Sequence, residues 1–186
     1  MALSEQLKPL QGTTTEAEFI ALTPDGYKHE LVDGEVTTMP TSFIHDILAA
    51  NFIAMLKRFA KGLGFVAASQ AGFRMVSGNI RCPDASFTCK DRYPDGRPCE
   101  GFGDASPDIC IEVISPSENQ ADMLRKIGEY FESGARQVWL VIPETERVIL
   151  FTSPIDMRTL TGDDELTAGD ILPDFKCVVK ELFELD

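Results

Sequence analysis

Basic residues are scarce in this chain. Its 186 residues hold 17 Lys and Arg against 30 Asp and Glu, a formal net charge of −13. Proteins that grip nucleic acid by bulk electrostatics show a basic footprint. This composition therefore argues against a wholly basic binder. It leaves room for a basic strip on one face, or for metal ions that reverse the field at a carboxylate-rich site. Cysteine offers no staple either. There are five, Cys82, Cys89, Cys99, Cys110 and Cys177, an odd number with no CxxC spacing. A disulfide framework is not expected, and reduced thiols in a cytoplasmic protein fit better. Long apolar runs are missing. The opening MALSEQLKPLQG has no signal-peptide core, and no stretch approaches the ~20 apolar residues of a membrane span.

What remains is ordinary globular material, 44% hydrophobic and 25% charged. Residues 1–12 read as a loose tail and 13–186 as one domain, a length that buries a core unaided. Thr15 with Glu18 fits a capping box, so a short helix is expected from Glu16 to Leu22, ended by Pro24-Asp25-Gly26. In HELVDGEVTTM two β-prone runs flank Asp33-Gly34, a hairpin signal. Apolar residues at Ile44, Ile47, Leu48, Phe52, Met55, Leu56 and Phe59 then fall at helical spacing after Pro40 and Ser42, and Gly62 and Gly64 close that helix.

Strands are expected at Phe65 to Ser69, Gly72 to Val76 and Ile80 to Thr88. The Gly-, Pro- and Asp-rich Cys89 to Ser106 reads as a loop of functional length. The apolar DICIEVI run predicts a strand over Asp108 to Ile114, broken by Ser115-Pro116-Ser117. A helix follows from about Asn119 to Ser133, with Leu124, Ile127, Tyr130 and Phe131 inward and Gly134 as its cap. ARQVWLVIP and RVILFTS pair as strands across Glu144-Thr145. Short strands near Arg158 and Glu165 and a helix near Phe175 to Phe183 complete the chain. The order predicts an α+β fold, a mixed sheet flanked by helices.

One residue breaks the pattern. Glu112 is a carboxylate inside an otherwise apolar strand, and a buried carboxylate needs a cation, an arginine or a metal. Asp108 lies on the same strand face, but four residues of ~3.3 Å rise put its Cα ~13 Å away, too far to share an ion whose ligands sit at ~2.0–2.6 Å. Asp84, in Arg81-Cys82-Pro83-Asp84, belongs to another strand. Neighbouring strands lie ~4.8 Å apart, so Asp84 and Glu112 meet if those strands pair here. Hard oxygen ligands of this kind suit Mg²⁺ or Mn²⁺. Lys126, on the helix after the Glu112 strand and near the edge of its apolar face, is the candidate cation for a phosphoryl transition state.

These stretches resemble the Uma-two family of restriction-endonuclease-like proteins, within the PD-(D/E)XK nuclease superfamily. The likeness runs through Lys28-His29-Glu30-Leu31-Val32-Asp33-Gly34-Glu35, Arg81-Cys82-Pro83-Asp84, Pro107 to Ser117, and Lys126 with Tyr130 and the Gly134 to Pro143 strand. It spans about residues 15 to 180. The EVISPS stretch, followed by a Lys and Tyr on the next helix, is its specific part. The resemblance implies a restriction-endonuclease-like fold and metal-dependent cleavage of DNA. Asp84 and Glu112 would be metal ligands. Lys126 would replace the motif lysine, at whose place Ile114 stands, and Glu30 would be an additional acid near the metal. His45 sits where the family often has a histidine, without an implied role. A homodimer, built on the apolar C-terminal strands, would cut both strands of a duplex.

Plainer readings stand beside these. Pro83-Asp84 could be a turn, Glu112 a structural partner of Arg81 or Arg136, and Lys126 a solvated helix residue. Glu30 could be an exposed hairpin position and His45 a packed or capping residue. Cys82, Cys89, Cys99 and Cys110 flank the loop, but zinc usually takes closer pairs. Trp139 and the phenylalanines are core by default. At the level of function, the alternatives are a nuclease-fold binding or regulatory module that no longer cuts, and a soluble protein without a nucleic-acid role.

Overall fold

The computed structural model describes residues 13–22, 27–39, 42–115 and 119–185. The expected tail over 1–12 and the breaks assigned to Pro24-Asp25-Gly26, Pro40 and Pro116-Ser117 lie outside the described residues. The chain opens with helix α1 (Glu16–Leu22). Its capping box is formed: Thr15 N donates to Glu18 Oε2 at 2.7 Å and Glu18 N to Thr15 Oγ1 at 3.3 Å. Strands β1 (Lys28–Val32) and β2 (Glu35–Met39) make the expected hairpin. Asp33 and Gly34 turn it with φ of 53° and 79°, the double positive φ that a two-residue turn of this hand requires.

Helix α2 (Phe43–Phe59) starts at Ser42, whose hydroxyl accepts the His45 N–H at 3.3 Å. This cap fixes His45 in the first turn. Strands β3 (Gly64–Ala68), β4 (Phe73–Arg74), β5 (Ile80–Arg81) and β6 (Ala85–Cys89) follow. The strand expected from Ile80 to Thr88 is thus two, split at Cys82-Pro83-Asp84, and the one expected over Gly72 to Val76 keeps two residues. Pro83 has no N–H to give a ladder, and the chain changes sheets there.

Strand β7 (Ile109–Val113), helix α3 (Gln120–Glu132) and strand β8 (Gln137–Ile142) form a crossover unit in which β7 and β8 run parallel. Strands β9 (Arg147–Phe151), β10 (Met157–Thr161), β11 (Glu165–Thr167) and β12 (Lys176–Val178) and helix α4 (Val179–Leu182) end it. The helix expected near Phe175 to Phe183 is half strand: Lys176–Val178 pairs with β11 first, because Leu166 and Cys177 bury together.

The main sheet has six strands in the order β10-β9-β8-β7-β6-β3, mixed through its one parallel pair. A four-stranded antiparallel sheet, β2-β1-β5-β4, stands beside it. The period-two alternation of β7 and β8 sorts the core. Ile109, Ile111, Val113, Trp139 and Val141 pack with Leu48, Phe52 and Leu56 of α2. Cys110, Val138 and Leu140 pack with Met123, Ile127 and Tyr130 of α3. Glu112 shares the Cys110 face and therefore looks at α3. Leu124, expected inward, is 58% exposed, and Met123 takes the buried place. The inward stripe of α3 is Met123, Lys126, Ile127 and Tyr130, spaced i, i+3, i+4, i+7. Lys126 sits inside that stripe rather than at its edge.

Candidate active site

β6 and β7 pair antiparallel through Ala85↔Ile111, so Asp84 falls opposite Glu112 just beyond the ladder. Its main-chain N–H donates to Ile111 O at 2.9 Å and its Oδ2 accepts the Val113 N–H at 2.8 Å. Asp84 is thereby bonded to the residues on both sides of Glu112. The Pro-Asp step is a sheet junction rather than a surface turn, and Asp84 is 2% exposed.

Helix α3 closes the site from the face that Glu112 occupies. Lys126 Nζ lies 2.9 Å from Glu112 Oε1 and 2.9 Å from Glu30 Oε1. Tyr130, one turn on, donates its hydroxyl to Glu112 Oε1 at 2.5 Å. Strand β1 delivers the remaining groups. Lys28 and Glu30 are two residues apart and point to one side, while Leu31 packs on the other with Phe19 and Ile80. Lys28 Nζ lies 2.5 Å from Asp84 Oδ1. Glu30 accepts from Arg81 Nη1 at 3.0 Å and from the Cys82 N–H at 2.9 Å, and Arg81 also donates to Glu129 at 2.7 Å. His45 reaches in from α2, its Nε2 3.1 Å from Asp84 Oδ2.

All four residues expected to form the site, Asp84, Glu112, Lys126 and Glu30, are thus gathered and buried. Glu30 is no exposed hairpin residue and Lys126 is not solvated. Glu112 pairs with neither of the arginines considered from sequence: Arg81 serves Glu30 and Glu129, and Arg136 pairs with Asp170. Asp108 is engaged elsewhere, accepting the Cys89 N–H at 2.8 Å. The five cysteines are all free thiols. Sequence reasoning missed Lys28 and the hydrogen bond of Tyr130. Both were legible in spacing: Lys28 is two before Glu30 on a strand, and Tyr130 is four after Lys126 on a helix.

Burial and charge pull against each other here. Burial pushes the Glu112 carboxyl above its ordinary value, and Lys126 and Lys28 do not cancel it. For Glu30 burial is outweighed by Lys126, Arg81 and Lys28, which hold it at about 2. Asp84 is also driven down against burial, by the His45 hydrogen bond and Lys28. Both lysines are raised despite burial, Lys126 chiefly by Glu112 and Glu30 and Lys28 by Glu112 and Asp84. Burial lowers His45, but its bond to Asp84 wins and raises it. Two carboxylates with unlike environments beside a fixed ammonium are a common design for proton and phosphoryl chemistry.

Residues 16–180 match the sequence profile of Uma2, described as "Putative restriction endonuclease". The chain belongs to the Uma2 family. A crystal structure described as that of a putative nuclease belonging to DUF820, from Anabaena variabilis, has the same fold. It aligns with a TM-score of 0.78 at 17% identity, covering 90% of this chain and 96% of that one. No curated protein matches the chain. The Uma2 domain of this chain therefore has a nuclease-like fold, and no described helix is long and apolar enough to cross a membrane.

The resemblance read from the sequence implies a divalent cation, and hard oxygen donors of the kind such an ion takes are present. Asp84 and Glu112 offer hard oxygens, and each already holds an ammonium, the place of a cation at each carboxylate. Among the described residues no three His, Cys, Asp or Glu side chains are grouped to hold a metal. Two carboxylates with the rest of the shell from water or substrate is how Mg²⁺ is commonly held.

Proposed function

We propose that this Uma2 protein is a divalent-metal-dependent endonuclease that hydrolyses phosphodiester bonds in DNA. The reading is carried by one observation: Asp84 and Glu112 fall opposite each other at a strand junction, with the Lys126 ammonium 2.9 Å from Glu112. Asp84 and Glu112 would hold Mg²⁺ or Mn²⁺, which supplies Lewis acidity and a water of lowered pKa. Lys126 is the charge that meets the phosphate oxygens as negative charge builds on them and orients the attacking water. Glu30 holds Lys126 in position and, through the Cys82 N–H and Arg81, ties β1 to the chain that carries Asp84. Tyr130 fixes the Glu112 rotamer.

The odd cysteine count and free thiols favour the cytoplasm as the working compartment. A homodimer would bring two such sites to the two strands of a duplex, and sedimentation at micromolar protein tests it. The deciding experiment is cleavage of supercoiled plasmid with Mg²⁺, with Mn²⁺ and with EDTA, beside Glu112→Gln and Lys126→Met. Metal-dependent nicking by wild type that falls at least ~100-fold in both variants supports the reading. Equal cutting by variants and wild type sinks it.

A second reading, a binding module that does not cut, is favoured by the Lys28 ammonium on Asp84. It predicts no cutting, with DNA affinity unchanged in Asp84→Ala and a salt-dependent binding constant.

A further inference from the structure

We propose that Lys28 is a resident counter-ion of the metal site, its ammonium competing with a divalent cation for one oxygen of Asp84. The inference rests on Asp84 as a metal ligand, as read above. Asp84 cannot turn freely. Its main chain is bonded to Ile111 O, and its Oδ2 is taken by the Val113 N–H at 2.8 Å and by His45 Nε2 at 3.1 Å. With that clamp intact, Oδ1 is the oxygen Asp84 can present to an ion. Lys28 Nζ is already there, at 2.5 Å, with both side chains at most 5% exposed. Two cations cannot share that oxygen at bonding distance without steep repulsion.

The two lysines differ in what a metal would cost them. Lys126 sits equally close to Glu30 and Glu112, so it keeps Glu30 when Glu112 turns to an ion. Lys28 has its direct ion pair with Asp84, and that pair is the one broken. Its backbone is fixed, because Lys28 pairs with Met39 in the hairpin, but its side chain is long and rotatable. Metal entry then exchanges one cation for another. The metal-free protein keeps Asp84 neutralised, and the affinity for metal is set by the strength of the Lys28 pair.

The test is Mn²⁺ binding to metal-free protein by calorimetry and electron paramagnetic resonance, without DNA. Lys28→Met is expected to tighten Mn²⁺ at least about tenfold, the effect of removing a competing pair worth ~1.4 kcal/mol. Lys28→Arg, which keeps the charge, stays within about threefold of wild type. Lys180→Met, at an exposed lysine paired with Asp163, controls for net charge and also stays within about threefold. If Lys28→Met does not fold, Lys28→Gln carries the same expectation. Affinity in the uncharged variants equal to or below wild type overturns the proposal. Asp84→Asn separates the two levels. If it loses Mn²⁺ while Lys28→Met gains nothing, only the counter-ion role falls. If it binds Mn²⁺ as wild type does, the metal assignment falls with it.

Discussion

Replacing Lys126 by Met, of similar length and without charge, isolates the electrostatics of the site. Lys126 is 4% exposed and contacts Glu30 and Glu112 equally. Glu30 survives the loss, because Arg81 and the Cys82 N–H still bind it. Glu112, 2% exposed, keeps the Tyr130 hydroxyl as its direct bond and loses the ammonium. Removing one partner of a buried pair costs about 3–5 kcal/mol. The carboxyl can escape by taking a proton, at ~1.4 kcal/mol per unit between pH and its pKa, so the lower end of that range is expected at pH 7.

The sign of the pH dependence follows. Glu112 already titrates above its ordinary value in the folded protein, and without Lys126 it titrates higher still. A folded pKa above the unfolded one means that the native state holds a proton the unfolded chain has released. Stability therefore falls as pH rises from about 4.5 through the folded value. The deficit of Lys126→Met should be about 3 kcal/mol at pH 7 and shrink toward ~1 kcal/mol near pH 5. Urea unfolding read by Trp139 measures it, since this is the sole tryptophan and fully buried. Adding Glu112→Gln should recover most of the loss, because an amide still accepts from Tyr130 without a charge to neutralise. A deficit below ~1 kcal/mol at pH 8, or no recovery in the double variant, would refute the reasoning.

Two further substitutions probe the remaining partners. Tyr130→Phe removes the hydroxyl that holds Glu112 Oε1 and should cost about 1.5–3 kcal/mol in the same unfolding assay; a change under ~0.5 kcal/mol would mean that Lys126 alone holds Glu112. His45 is raised by Asp84, so its contribution is complete below its unfolded pKa and is lost as pH rises through the folded one. The stability gap between wild type and His45→Gln should therefore narrow from pH 6 to pH 9. The His45 ring should also titrate by NMR with a midpoint above ~6.5, and a midpoint below that value contradicts the Asp84 contact.

Much of the site could be read from sequence because it is built from local irregularities in regular patterns. Glu112 was visible as one charge in an apolar strand, and Asp84 as the carboxylate a neighbouring strand could bring opposite it. The register Ala85↔Ile111 made that juxtaposition real. The hairpin at Asp33-Gly34 and the capping box at Thr15 and Glu18 are short-range chemistry, and both formed as expected. What failed depended on long-range packing. Leu124 looked like core from its side chain alone, whereas the phase of α3 is set by Lys126 and Tyr130 reaching Glu112. Spacing put Lys28 on the Glu30 side of its strand, but its pairing with Asp84, across 56 residues and two sheets, depended on the fold.

The acidic composition looked like the main obstacle to a phosphodiester site, and the structure changes its meaning. The buried cluster contains Glu30, Asp84, Glu112 and Glu129, matched by Lys28, Arg81, Lys126 and His45 when the imidazole is protonated. The excess negative charge therefore lies outside the cluster, and the pocket itself is close to neutral. Adding a dication to a balanced cluster would leave it net positive, the sign a phosphate diester requires. Had the site been four carboxylates without resident lysines, a single dication would have left it net negative. On this argument the lysines are not decoration around the proposed metal site: they make the local charge of a −13 protein compatible with the polyanionic substrate proposed for it.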